Sequence, residues 1–217
     1  ALLSSILQAC VEDGGPHIAE YRRRAKDGHW RWIRSIGKIV HRNVDGQPER
    51  LIGIHADITD RKQMEEQVRQ LAFYDPLTGL PNRRLLNDRL SQAMAASKRS
   101  GRYCALMFID LDNFKPLNDT HGHEVGDLLL IEVADRMKRC VREMDTVARF
   151  GGDEFVVLLD DVDDERDAAL ETVLSIAEKL RQALNLPYKL RGSMPADWHC
   201  SSSIGVAVFR GQQEDME

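Results

Sequence analysis

Two glycines run straight into two acids at Gly151-Gly152-Asp153-Glu154, and Phe155 and the apolar run Val156 to Leu159 follow. Val147-Ala148-Arg149-Phe150 comes before them. Apolar run, glycine turn, apolar run reads as a β-hairpin. Glycine has no Cβ, so backbone at such a turn can come close to a ligand. Acids placed there suit a divalent metal with phosphate better than they suit a plain surface turn. Taken alone the pentapeptide also fits a solvated turn, so the elements around it decide.

Those elements form a recognisable order. Tyr103 to Leu111 reads as a strand, and its centre Ala105 to Ile109 is almost continuously apolar. That pattern suits a central strand covered on both faces. A helix is expected from His123 to about Arg142, burying Leu129, Val133, Ala134 and Met137. The hairpin 146–160 follows, then an acidic turn Asp160 to Asp167 and a helix from Ala168 to Leu184. A short edge pair over Leu186 to Leu190 and a last strand from Cys200 to Phe209 complete the pattern. The order β-α-β-β-α-β is that of an α/β (α+β) ferredoxin-like sandwich with helices on one face. Ahead of it, Asn82 can cap a helix running from Arg83 to about Ser97.

Residues 17–60 read differently, as a three-stranded antiparallel meander. Its turns are Lys26-Asp27-Gly28 and Asn43-Val44-Asp45-Gly46, a strong hairpin signal. Arg61 to Tyr74 is then a helix that Thr59 or Asp60 can cap. Met64, Val68 and Leu71 step by four and three along it. That seam fits a surface helix on its own domain, and equally a parallel coiled coil between two subunits. The expected division is 1–60, a linker helix 61–74, and a larger domain 75–217.

Composition narrows the class. The 217 residues are 42% apolar and 30% charged, as in a soluble globular protein. A net charge of -5 argues against a nucleic-acid surface. Cys10, Cys104, Cys140 and Cys200 form no CxxC pair, which fits a reduced compartment. No apolar run reaches membrane-spanning length, so the chain reads as cytoplasmic, with an upstream anchor left open. Both ends read as cut, opening within Ala1 to Leu7 and stopping soon after Phe209.

Several residues could carry chemistry. Asp110 and Asp112 flank Leu111 at the end of the central strand, and Asp110 with Asp153 and Glu154 would make a hard-ion cradle. Lys115 could meet a phosphate. Asn118 both donates and accepts, and Asp127 could take two parallel hydrogen bonds from guanine. Gly122 and Gly126 keep backbone approach open. There is neither a GxxxxGK[ST] loop nor a GxGxxG loop.

Phe108 to Asp127 together with Gly151 to Phe155 closely resemble the diguanylate cyclase, or GGDEF, domain, and Asp75 to Arg83 resembles that family's opening motif. The resemblance covers about 71–209. It implies a fold similar to adenylyl cyclase catalytic and polymerase palm domains. It also implies condensation of two GTP into cyclic di-GMP and two pyrophosphates, with one GTP on each subunit of a homodimer. By that likeness Asp110 and Asp153 bind Mg²⁺ or Mn²⁺, with Glu154 at the metal and near the attacking hydroxyl. Asn118 and Asp127 read guanine, Lys115 stabilises phosphate charge, and the backbone of Phe114, Gly151 and Gly152 approaches phosphates. Arg142-Glu143-Met144-Asp145 resembles the family's RxxD inhibitory site for the product; the plainer reading is an ion pair at a helix end.

Upstream, Tyr21-Arg22, Trp30-Arg31-Trp32, Gly53 and Asp57-Ile58-Thr59 resemble the C-terminal half of a PAS domain with its PAC segment, over about 17–62. That implies a sensor acting through the linker helix, with its cofactor unknown. Cyclase domains of this kind usually carry one more helix after the last strand, and the chain ends at Glu217 before one is reached. The alternative function is a GTP-binding regulatory module without turnover, controlling a phosphodiesterase domain beyond Glu217.

Overall fold

The computed structural model describes residues 16–189 and 198–211, and the chain separates into two compact units at 69/70. Ala1 to Leu7, Cys10 and Leu190 therefore lie outside the described residues.

In the first unit the meander forms as expected. Strands β1 (His17–Arg24), β2 (Trp30–Arg42) and β3 (Pro48–Asp57) pair antiparallel in the order β1-β2-β3. The turns close by the side-chain chemistry that marks them. Asp27 Oδ1 accepts the His29 N–H at 2.9 Å, and Asn43 Oδ1 accepts those of Asp45 and Gln47 at 3.1 and 2.8 Å. One face of β2 buries Ser35, Gly37 and Ile39.

Helix α1 (Thr59–Phe73) starts two residues earlier than expected, and neither Thr59 nor Asp60 caps it. Asp57 does this work, its Oδ1 taking the Thr59 N–H at 3.0 Å and the Thr59 hydroxyl at 2.6 Å. Thr59 Oγ1 then accepts the Trp32 N–H at 2.9 Å, tying the helix start to β2. None of the residues of α1 is buried, and Met64, Val68 and Leu71 are among the most exposed apolar residues described. No helix among the described residues is long and apolar enough to cross a membrane.

The second unit is built on a four-stranded antiparallel sheet. Helix α2 (Arg83–Ser100) leads into β4 (Tyr103–Leu111), and α3 (Phe114–His121) and α4 (His123–Cys140) follow. The hairpin is β5 (Thr146–Gly151) and β6 (Glu154–Asp163), and α5 (Arg166–Asn185) and β7 (Ser202–Phe209) end the order. The sheet order β5-β6-β4-β7 is the ferredoxin-like arrangement.

Period two explains the layers. Ala105, Met107, Ile109 and Leu111 of β4, with Phe155, Val157 and Leu159 of β6, join the core formed with α4 and α5. Cys104, Val156 and Leu158 face the other way and pack with Leu86 and Ala93 of α2. The two crossover helices thus share one face, while α2 covers part of the second. The apolar centre of β4 had indicated two covered faces.

Three details differ from the sequence reading. Residues 114–121 are helical, although the expected helix began only at 123. Strand β6 continues through Asp163, so the first acids of the expected turn are in the sheet; Arg102 bonds the Asp161 carboxylate. The expected edge pair is a single bridge, Tyr188 to Trp198.

Candidate functional site

Asn82 Oδ1 accepts the N–H groups of Arg84 and Leu85, fixing the start of α2. Just before it, Asp75 Oδ1 accepts the Thr78 N–H at 2.8 Å and hydroxyl at 2.6 Å. Both Asp75 carboxylate oxygens also receive Arg149 Nη1, at 3.1 and 3.2 Å. Arg149 spends its other two nitrogens on the Gly152 carbonyl, at 2.9 and 2.7 Å. One arginine therefore ties the glycine turn to the Asp75 turn. The two side chains are only 13% and 17% exposed, so removing one leaves a charge with little water around it.

This pair escaped the sequence reading. A lone arginine in a strand and an aspartate 74 residues away carry no shared local signal. Burial raises the Asp75 carboxyl, but hydrogen bonds from Thr78 and the Arg149 guanidinium outweigh it and hold it below the usual range. A carboxyl depressed on folding stabilises the fold above its unfolded pKa of about 3.9. That contribution is lost as pH falls through the lower folded value. Asp75→Ala is expected to cost about 3 kcal/mol at neutral pH by urea unfolding. The gap from wild type should close on acidification; a gap independent of pH would count against the ion pair.

The catalytic-looking acids gather at one end of the sheet. Asp110 pairs in register with Glu154 across β4 and β6, and Asp153 sits in the turn beside it. Partial desolvation, then the negative charges of Asp153, Glu154 and Asp112, raise the Asp110 carboxyl. The side chains of Asp110, Asp153, Glu154, Lys115 and Asp127 make no hydrogen bond or ion pair to any described residue. Among the described residues no three His, Cys, Asp or Glu side chains are arranged to hold one metal ion by themselves.

Asp112 takes another part. Its Oδ2 accepts the Ser201 hydroxyl at 2.6 Å and its Oδ1 that of Ser203 at 3.0 Å. It fastens the end of β4 to the start of β7 and leaves Asp110 as the unpaired acid. Asn113 then turns the chain in the left-handed region, φ 61°, without a side-chain cap. The first N–H groups of α3, Phe114 among them, are thereby left without a side-chain cap.

Asn118 on α3 and Asp127 on α4 come together through a glycine. An added Cβ on Gly126 would overlap Asn118 Oδ1 and reach within 3.2 Å of the Phe114 ring. Asn118 can lie on the α4 backbone only because position 126 has no side chain. Its Oδ1 is buried and finds no donor among the described residues, an unusual state for a buried acceptor.

Arg142 and Asp145 sit at the far end of β5. The Asp145 carboxylate accepts the Arg142 backbone N–H at 2.8 Å, while the Asp145 N–H donates to the Arg142 carbonyl at 3.1 Å. The pair makes a closed turn and not a side-chain ion pair. Burial pushes the Asp145 carboxyl up. Five strand residues, Thr146 to Phe150, separate this turn from Gly151-Gly152, on the order of 20 Å.

A ferredoxin-like sheet with unpaired acids on its central strand end and hairpin turn defines a nucleotide-cyclase-like palm domain. Within that class the assignment is specific: the model of the diguanylate cyclase, GGDEF domain matches residues 72–217, and this chain belongs to that family. A PAS-fold model matches residues 1–55, so the GGDEF domain is preceded by a PAS-fold region.

The chain is 45% identical over 153 residues to the bifunctional diguanylate cyclase/cyclic di-GMP phosphodiesterase MucR of Pseudomonas aeruginosa, covering 70% of this chain and 21% of MucR. It matches the solved GGDEF domain of Pseudomonas aeruginosa TpbB at 39% identity and TM-score 0.57, over 63% of this chain and 75% of that one. The coiled coil and GGDEF domain of DgcB from Caulobacter crescentus, solved with c-di-GMP, matches at 29% identity and TM-score 0.62, over 72% of this chain and 79% of that one. The chain spans about a fifth of the length of MucR and under half that of DgcM of Escherichia coli.

Proposed function

We propose that the domain is a diguanylate cyclase that joins two GTP into cyclic di-GMP and releases two pyrophosphates. The observation that carries this is the set of unpaired, mutually repelling carboxylates Asp110, Asp153 and Glu154 beside an open glycine turn. Such a set is costly without a cation: partial burial, and then repulsion from Asp153 and Glu154, raises the Asp110 carboxyl. The donors are hard oxygens, which fits Mg²⁺ or Mn²⁺. Magnesium commonly takes one or two carboxylates and completes its shell with phosphate and water. That fits acids not closed around an ion beforehand. When bound, the ion would neutralise phosphate charge developing in the transfer.

The residues supply the rest. Asp110 and Asp153 would hold the ion, with Glu154 at its side and near the attacking 3′-hydroxyl. Lys115 would face the phosphates, as would the uncapped N–H of Phe114 and the exposed backbone of Gly151 and Gly152. Asn118 and Asp127 would read guanine, whose amino group can meet an acceptor that has no donor among the described residues. In each step the 3′-oxygen of one nucleotide bonds to the α-phosphorus of the other. The bond from that phosphorus to pyrophosphate breaks, and the hydroxyl proton leaves to a carboxylate or water.

One site cannot offer both an activated phosphate and the other nucleotide's hydroxyl, so the active form is a homodimer. The exposed Met64, Val68 and Leu71 seam of α1 supports pairing two copies through the linker. The PAS-fold region would act on that pairing. The test is to incubate the full-length protein with GTP and Mg²⁺ and measure cyclic di-GMP. Absence of product at every protein concentration would refute the assignment and favour a GTP-binding regulatory module.

Arg142 and Asp145 would bind cyclic di-GMP as an inhibitor. The closed turn supports this by leaving the exposed guanidinium unpaired among the described residues. Arg142→Ala is expected to leave initial rates near wild type and to weaken product inhibition at least tenfold, read as the concentration of added cyclic di-GMP that halves the rate. Equal inhibition of both proteins would return Arg142 to an ordinary helix-end residue.

A further inference from the structure

Unpaired positive charge gathers at the start of α2. A cleft of about 580 Å³ opens there, with Tyr74, Arg83, Arg84, Asn87, Arg149 and Phe150 in its walls. Asp75 is the one acid lining it among the described residues, and Arg149 already pairs with that carboxylate. Arg83 and Arg84 are exposed, and neither bonds a carboxylate among the described residues.

Both guanidiniums are held against rings. Arg83 stands 4.5 Å from the Phe150 centroid, and Arg84 stands 5.0 Å from that of Phe73. A guanidinium over a ring face keeps the N–H donors in its own plane free for another partner. Stacking also reduces the side-chain freedom that a ligand must freeze out on binding. The α2 backbone does not make the site, because Asn82 already accepts the Arg84 and Leu85 N–H groups. The donors on offer are side chains, with the Asn87 amide and the Tyr74 hydroxyl in the same walls as the two arginines.

We propose that this cleft binds a small molecule through a phosphate group, at a site separate from the acids and from the guanine residues. A single guanidinium fork satisfies a carboxylate, whereas two forks with neutral donors beside them match a phosphate dianion. A concave space of this size is that of a small-molecule pocket and not of a flat protein contact. Asp110, Asp153 and Glu154 are absent from its walls, so no carboxylate of the metal-binding set opposes the anion there. The inference concerns binding alone and does not rest on turnover.

The test titrates inorganic phosphate into the full-length protein by calorimetry, first free and then saturated with a non-reacting GTP analogue and Mg²⁺. Saturable binding is expected in both states, because the analogue fills the nucleotide site and leaves the cleft open. Arg83→Gln and Arg84→Gln are each expected to weaken phosphate binding at least about tenfold, the loss from one charge-assisted contact. Analogue affinity should stay within about twofold of wild type in both. Where a glutamine variant fails to fold, Arg83→Lys or Arg84→Lys carries the test; each keeps the charge, loses the fork and should show a smaller loss of phosphate. Absence of saturable binding, equal phosphate affinity in the folded variants, or displacement of phosphate by the analogue overturns the site. An equal response to acetate overturns the phosphate assignment. Failure of the analogue to bind counts against the cyclase reading, and the titrations of the free proteins then decide the cleft.

Discussion

Glu154→Gln and Asp153→Asn are each expected to lower cyclic di-GMP formation by at least about a hundredfold, the loss typical of removing a group that stabilises transition-state charge. The fold should survive both changes. Neither side chain bonds to any described residue, Glu154 is exposed and Asp153 half-buried. Melting temperatures should stay within about 2 °C of wild type, since such substitutions usually change stability by less than half a kcal/mol. A small rise is the expected sign, because each substitution removes a charge that repels Asp110. Binding of GTP without turnover should persist in Glu154→Gln, since the guanine contacts proposed for Asn118 and Asp127 lie elsewhere. Rates near wild type in either variant would move the chemistry away from the glycine turn.

The second large effect is expected at a residue with no functional group. Gly126→Ala places a methyl where Asn118 Oδ1 now lies. The asparagine must swing away or the α3–α4 packing must open, at a cost of about 1–3 kcal/mol in stability. GTP affinity is expected to fall at least tenfold, and the preference for GTP over ATP to shrink with it, because the displaced amide no longer meets the base. The double variant Asn118→Ala/Gly126→Ala should recover much of the stability and none of the preference. Asp127→Ala should narrow the same preference through the lost carboxylate. Competition binding with GTP and ATP decides the matter; an unchanged preference in both Gly126→Ala and Asp127→Ala would refute the guanine assignment.

These two predictions separate what a linear reading reaches from what it misses. Glu154 and Asp153 stand out in sequence because a glycine pair, two acids and an alternating apolar run occur within one hairpin. Gly126 reads in the sequence as an opening for backbone approach, but its contact with Asn118 eight residues earlier does not, because Asn118 lies in a short helix ahead of the one expected from His123. A helix of eight residues is marginal by propensity, and packing of Leu117 into the core holds it. Asp112 looked like a second strand-end acid. Its hydroxyl partners lie in a segment about 90 residues on, so only strand pairing could assign it to fastening β7.

The sequence by itself determined the order of the strands and of the longer helices, the two Asx-glycine turns of the first sheet and the identity of the acid-bearing hairpin. It also determined the family to which 72–217 belongs. Each of these is written in short-range periodicity or in residues adjacent along the chain. Tertiary structure alone decided that Asp57 caps α1, that Arg149 joins Asp75 to the glycine turn, and that Arg83 stacks on Phe150. The last two contacts join residues far apart in sequence, and the first depends on how β3 ends. Their energy comes from burial and hydrogen-bond geometry that exist only once the strands have paired.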